Sequence, residues 1–217
     1  MADAILFDLD GTLADTAPDL AAAANRLRAE HDLPPLPPEA LRTHTSSGAR
    51  GMLRAAFDLH PEGDAYPDMV ARFLVHYASA LCVHTRLFDG MAELLDTLDA
   101  NAIPWGIVTN KQARFTLPLV AALGLDTRAC CVVSGDTTAR PKPAPDPLLH
   151  ACTQAHLDPA RTLYVGDDLR DIDAGRAAGM PTVAAAWGYL GDEGPVTAWQ
   201  ADHVIGTPAE LRPLVGL

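Results

Sequence analysis

The chain opens with three apolar residues that run without polar alternation into two acids two positions apart, Ile5-Leu6-Phe7-Asp8-Leu9-Asp10. A short unbroken apolar run bounded in this way predicts a strand buried on both faces, as in the middle of a parallel sheet. Comparable runs at Pro104–Val108, Ala129–Val133, Thr162–Val165 and Thr182–Ala186 bring the expectation to about five strands. Between them, apolar positions three and four apart predict helices over Gly90–Ala100, Gln112–Leu123, Pro147–His156 and Arg170–Ala178. Gly124 and Gly179 stand where two of these helices should stop. Strands alternating with helices imply an α/β fold, a parallel sheet with helices on both faces.

One interval breaks the alternation. A helix start at Asp15-Thr16-Ala17-Pro18 leads to about Glu30 and ends before Pro34-Pro35-Leu36-Pro37-Pro38. Further helices are expected at Glu39–Thr45, Ala49–Leu59 and Tyr66–Val83, the last with Met69, Phe73 and Tyr77 along one face. No strand is expected from Asp15 to Phe88. So long a helical stretch exceeds a simple crossover. The expected organisation is an α/β core made of residues 1–14 and 89–217, with an inserted all-helical unit at residues 15–88.

Composition narrows the function classes. The 217 residues are 48% hydrophobic and 20% charged, an ordinary globular balance. No apolar run approaches the roughly 20 residues of a membrane span, and Met1-Ala2-Asp3 lacks a basic leader, so a cytoplasmic protein with no membrane partner is expected. A formal net charge of −12 argues against nucleic acid. It also requires that an anionic ligand be drawn by local positive groups, and the chain has only two lysines, Lys111 and Lys142. Cys82, Cys130, Cys131 and Cys152 show no metal-ligand spacing. Cys130 and Cys131 are expected as buried free thiols. The sequence carries no signal for oligomeric state.

Side chains two apart on an extended segment share a side, so Asp8 and Asp10 leave the first strand together. A lone pair of this kind is commonly just a turn. A calcium loop needs glycine at its sixth position, whereas Leu13 is sixth from Asp8 and a strand precedes it. In parallel sheets ligands gather beyond the carboxyl ends of the strands. Those ends deliver Thr109-Asn110, then Ser134-Gly135-Asp136 followed by Pro141-Lys142-Pro143, and Gly166-Asp167-Asp168 with Asp171 one turn on. If Asp8, Asp10, Asp167 and Asp171 share a pocket, a divalent cation and Lys142 together leave it negative. A phosphate dianion then enters only if one acid is protonated. Asp10 is the natural candidate, since a protonated acid can donate to a leaving oxygen. An all-oxygen ligand set suits Mg²⁺.

These stretches, Asp8-Leu9-Asp10-Gly11-Thr12, Val108-Thr109, Arg140-Pro141-Lys142-Pro143 and Gly166-Asp167-Asp168-Leu169-Arg170-Asp171, resemble the four motifs of the haloacid dehalogenase superfamily of phosphatases. The resemblance implies a Rossmann-like core with a helical cap and a phosphoryl-transfer mechanism. Asp8 would be the nucleophile that forms an aspartyl-phosphate, and Asp10 the general acid and base. It further implies that Thr109 and Asn110 hold phosphoryl oxygens, and that Lys142 neutralises charge on Asp8 and phosphate. Mg²⁺ would be bound by Asp8, Asp167 and the Asp10 carbonyl, with Asp171 helping directly or through water. Asp168 and Asp173 are expected as surface or supporting acids.

Within the superfamily, dehalogenases lack the second acid that Asp10 supplies, and the phosphonate-cleaving branch needs a cap lysine that residues 15–88 do not contain. Sugar-phosphate mutases share every core motif. Asp15-Thr16-Ala17-Pro18-Asp19-Leu20 resembles the phosphoglycolate phosphatase group. Ser47-Gly48-Ala49-Arg50-Gly51-Met52, Val83–Met91, the fourth motif through Ile172, and Trp187-Gly188-Tyr189 with Trp199 are more similar to the N-acetylmuramic acid 6-phosphate phosphatase branch. Both substrates are small phosphorylated metabolites bearing a carboxylate. Ser46, Ser47 and Gly48 are expected to form a flexible joint over the site, with Arg50 reaching that carboxylate. His44, His76 and His84 are expected as polar packing.

Overall fold

The computed structural model describes residues 1–191 and 194–217. Among the described residues eight strands form: β1 (Ala4–Phe7), β2 (Ala14–Asp15), β3 (Arg86–Leu87), β4 (Trp105–Val108), β5 (Val132–Val133), β6 (Thr162–Gly166), β7 (Thr182–Ala185) and β8 (His203–Ile205). Six of them make one parallel sheet in the order β5-β4-β1-β6-β7-β8. The chain moves outward from β1 to β4 and β5, then returns to build β6, β7 and β8 on the other side of β1. That reversal places the crevice beyond the carboxyl end of β1, flanked by β4 and β6.

The unbroken apolar run of β1 has a simple cause. Ile5 and Phe7 enter the core on one face of the sheet, with Leu94, Leu98, Ile107 and Val165. Leu6 enters the other, with Val108, Val133, Leu148 and Tyr164. Alternation remains, but both sides are oil.

The helices are α1 (Ala17–Glu30), α2 (Glu39–Arg42), α3 (Gly48–Phe57), α4 (Tyr66–Ala78), α5 (Met91–Ala100), α6 (Ala113–Ala122), α7 (Asp146–Ala155) and α8 (Leu169–Ala177). Helices α1 to α4 pack on one another around Leu20, Ala24, Leu27, Leu41, Met52, Phe73 and Tyr77, and Phe115 of α6 joins that cluster from below. Among the described residues no helix is long and apolar enough to cross a membrane.

Four sequence expectations need correction. The helical interval is framed by a two-stranded antiparallel ribbon, β2 against β3, where no strand was expected between Asp15 and Phe88. A sixth strand, β8, lies at the sheet edge. It is three residues long with His203 and Val204 exposed, so it carries no apolar run. Helix α4 ends at Ala78 rather than Val83. Beyond it the buried Asp19 carboxylate collects the N–H groups of Val83, His84 and Thr85 and the Thr85 hydroxyl, at 2.7–3.0 Å, and bends the chain into β3. Cys130 is exposed, because the strand begins two residues after it; Cys131 and Cys152 are buried, and all four thiols are free.

Candidate active site

The last rung of the central ladder presents Asp8, whose N–H donates to the Val165 carbonyl at 2.9 Å. Leu9 turns into the core, so Asp8 and Asp10 both emerge at the crevice. Gly11 then reverses the chain with φ of +89°. A Cβ there would stand 2.2 Å from Asp167 Oδ2, so glycine is required by both conformation and space.

Lys142 is the hub of the buried charge. Its Nζ lies 2.8 Å from Asp8 Oδ1, 2.6 Å from Asp171 Oδ1, 2.7 Å from the Tyr164 hydroxyl and 3.1 Å from the Val108 carbonyl. An ammonium has three protons, and Tyr164 donates its own to the Val108 carbonyl at 3.0 Å, so every neighbour is satisfied. Asn110 braces this lysine. Its carboxamide accepts from the Lys142 N–H and donates to the Lys142 carbonyl, both at 2.9 Å. That side chain, expected on phosphoryl oxygens, is thus spent on the loop that carries Lys142. The Thr109 hydroxyl accepts from the Lys111 N–H at 3.2 Å and keeps its own proton for a ligand.

Asp167 is 1% exposed, accepting from the Thr12 hydroxyl at 2.9 Å and the Tyr189 N–H at 2.8 Å. Burial, then the charges of Asp8 and Asp171, holds its pKa well above the carboxylate range. Burial likewise pushes Asp8 up to about 6, against the pull of Lys142. Two buried acids strained in this way call for a cation. Asp8, Asp167 and Asp171 each offer an oxygen, all within 4.8 Å of one another, a hard all-oxygen set that fits a small divalent ion. Asp171 is also committed elsewhere, accepting from Lys142 and the Asp168 N–H, with the Tyr164 hydroxyl 3.1 Å from its Oδ1. Asp168 is buried rather than a surface acid. It caps α8 and grips the Arg170 guanidinium twice at 2.8 Å. Asp173 sits half-buried beside Arg176.

Asp10 stands apart from that cluster. Its Oδ1 accepts from the Thr16 hydroxyl at 2.5 Å and from Lys111 Nζ at 2.7 Å. Lys111 is the residue that sequence reasoning missed. It lies 4.8 Å over the Tyr77 ring; burial opposes its charge, but Asp10 holds its pKa above the ordinary lysine range. The signal was available, since one of only two lysines directly follows Thr109-Asn110. Counting it balances the four acids with two ammoniums and a divalent ion. The free site is then neutral, and an excess of negative charge arises only when a phosphate dianion enters.

Above these residues lies a cavity of about 390 Å³. Its floor is the charged cluster, Thr109 and Arg170; its roof is Thr45–Ala49 with Leu20, Val70, Phe73, Leu74 and Tyr77. Ser47 and Gly48 line it, at the junction of a single 3₁₀ turn (Thr45–Ser47) and α3. Arg50 does not line it. Helix α3 buries Gly51, Met52, Leu53 and Ala56, which leaves Arg50 exposed to solvent. The guanidinium in the cavity is that of Arg170, which also donates to the Ser46 carbonyl at 2.8 Å. The Ser46 and Tyr77 hydroxyls are buried without a hydrogen-bond partner among the described residues.

Residues 5–185 match the haloacid dehalogenase-like hydrolase family. The chain is 44% identical over 212 residues to an N-acetylmuramic acid 6-phosphate phosphatase of Pseudomonas putida, covering 98% of this chain and 95% of that one. It is equally 44% identical over 209 residues to a phosphoglycolate phosphatase of Xanthomonas campestris pv. campestris, covering 96% and 94%. Among solved structures, a predicted phosphoglycolate phosphatase from Haemophilus somnus superposes with a TM-score of 0.86 at 28% identity, covering 98% and 97%. The chain belongs to the haloacid dehalogenase-like hydrolase family, as one of its phosphatases.

Proposed function

We propose that the chain hydrolyses N-acetylmuramic acid 6-phosphate through an aspartyl-phosphate on Asp8. In this reading residues 1–14 and 89–217 are the catalytic core and residues 15–88 the cap. Asp8 attacks phosphorus as the ester P–O bond breaks. Asp10 gives its proton to the departing alkoxide oxygen and afterwards takes one from the water that cleaves the acyl phosphate. Thr109 donates to a phosphoryl oxygen, aided by Asn110 through its bracing of Lys142, and Lys142 offsets charge on Asp8 and the phosphoryl group. Asp8, Asp167 and the Asp10 carbonyl would hold Mg²⁺, with Asp171 directly or through water. The ion supplies positive charge that lets a dianion approach these acids.

The observation that carries the substrate is the cavity. Its volume of about 390 Å³ and apolar roof of Phe73, Leu74, Val70 and Tyr77 extend well beyond the charged floor. A two-carbon phosphoester would leave that roof wet, whereas an acylated sugar covers it. Arg170 then takes the place expected of Arg50 toward a carboxylate. The second reading, phosphoglycolate hydrolysis, is favoured by the Xanthomonas relative of equal identity.

Phosphate release with Mg²⁺ across N-acetylmuramic acid 6-phosphate, phosphoglycolate and hexose phosphates tests the choice. A kcat/KM at least about tenfold higher for the first than for the second is expected, a transition-state difference of about 1.4 kcal/mol. The reverse order supports the second reading, and a smaller gap overturns a dedicated substrate. Little free phosphate together with a requirement for a bisphosphate would instead indicate a mutase.

A further inference from the structure

Trp187-Gly188-Tyr189, singled out in the sequence, is absent from the cavity lining, yet it is tied to the site at both ends. Tyr189 is 4% exposed. Its hydroxyl accepts from the N–H groups of Thr16 at 2.7 Å and Ala17 at 2.9 Å, and donates to the Asp15 carboxylate at 3.0 Å. Thr16 is the N-terminal cap position of α1, and its own side chain makes no capping bond. A phenol from the loop after β7 therefore does that work. The Thr16 hydroxyl is left free to donate to Asp10 Oδ1 at 2.5 Å. At the other end the Tyr189 N–H holds Asp167 Oδ2 at 2.8 Å, and Trp187 Nε1 donates to the Thr12 carbonyl at 3.0 Å. The loop is threaded closely: a Cβ on Gly188 would stand 2.2 Å from Asp167 Cβ and 2.6 Å from the Gly11 carbonyl oxygen.

We propose that Tyr189 is a positioning residue for proton transfer: its hydroxyl fixes Thr16, and the Thr16 hydroxyl fixes the Asp10 carboxylate. The inference rests on the reading of Asp10 as general acid. Tyr189 exchanges no proton with substrate. It sets the orientation from which Asp10 delivers one to the ester oxygen as the P–O bond breaks.

The test uses leaving groups of different need. An alkoxide must be protonated as it departs, whereas p-nitrophenolate leaves without help. Single-turnover release of the alcohol is followed from N-acetylmuramic acid 6-phosphate or phosphoglycolate, whichever is turned over faster, and compared with release of p-nitrophenol from p-nitrophenyl phosphate. Tyr189→Phe keeps the ring against Phe88 and beneath Arg42. It should slow the alkyl ester by about 10- to 100-fold and p-nitrophenyl phosphate by less than about threefold. A merely structural role would slow both equally. Asp10→Asn separates the two readings. If it slows both esters alike, the acid role of Asp10 fails. If it shows the contrast and Tyr189→Phe does not, the positioning role of Tyr189 fails. Should Tyr189→Phe not fold, Thr16→Ala must show the same contrast and Thr16→Ser must restore wild-type behaviour; absence of either overturns the proposal.

Discussion

Replacing Asp8 with asparagine should destroy activity and at the same time stabilise the metal-free fold. Asp8 is 8% exposed, and burial pushes its carboxyl from the ordinary 3.8 up to about 6 despite the ion pair with Lys142. That displacement corresponds to about 3 kcal/mol, at about 1.4 kcal/mol per unit. The sign follows from linkage. Below about pH 4 both folded and unfolded chains carry the neutral acid, and no penalty exists. As pH rises through about 6 the folded chain must accept a charge that the unfolded chain bears freely, and stability is lost. Asparagine keeps the shape and an acceptor oxygen for Lys142 but never ionises. At about pH 7.5, with chelator present, Asp8→Asn should therefore melt higher by up to about 3 kcal/mol, or about 6–12 °C for a chain of this size. At about pH 4 the gain should vanish. Mg²⁺ should raise the melting temperature of the wild type more than that of the variant. Scanning calorimetry at both pH values checks all of this. An unchanged or lower melting temperature at pH 7.5, or an equal gain at pH 4, would refute the reasoning.

Two further substitutions separate architecture from chemistry. Asp19→Ala strands three backbone N–H groups and the Thr85 hydroxyl in a buried site, so the urea midpoint should fall by the equivalent of about 2–4 kcal/mol with an unchanged slope; a loss below about 1 kcal/mol would contradict that accounting. Asn110→Ala releases the Lys142 backbone, and should lower kcat by about 10-fold or more while leaving the melting temperature within a few degrees. Wild-type kcat in that variant would show that the brace is dispensable.

The buried half of the molecule was legible because a central parallel strand has one readable signature. Ile5–Phe7, Trp105–Val108, Leu163–Val165 and Thr182–Ala185 are buried on both faces, and just beyond the first three stand Asp8, Thr109 and Asp167, which line the cavity. The acids and Lys142 followed from those ends. What escaped lacks such a signature. Two-residue strands such as β2 and β3 are set by what lies across from them, not by their own pattern. Tyr189 reaches Thr16 across 173 positions, a contact no local spacing encodes. Arg50 and Arg170 are equally cationic in sequence, and only the burial of Met52 and Leu53 decides which of them turns outward. Asn110 was placed at the right strand end with the wrong partner, because a carboxamide offers both donors and an acceptor and a loop backbone claimed them.

The ribbon of β2 and β3 has a consequence for how such proteins diversify. The path leaves the sheet at Ala14-Asp15 and returns at Arg86-Leu87 on the adjacent strand, so its two stumps sit about 4.8 Å apart. Any replacement segment whose ends meet at that spacing can be spliced in without shifting β1 or the carboxylates beyond it. Recombination at these two points would exchange the roof of the cavity, and with it the ester accepted, in one step. Among the constraints carried across the splice is the Tyr189 hydroxyl waiting for two N–H groups at the start of the incoming helix.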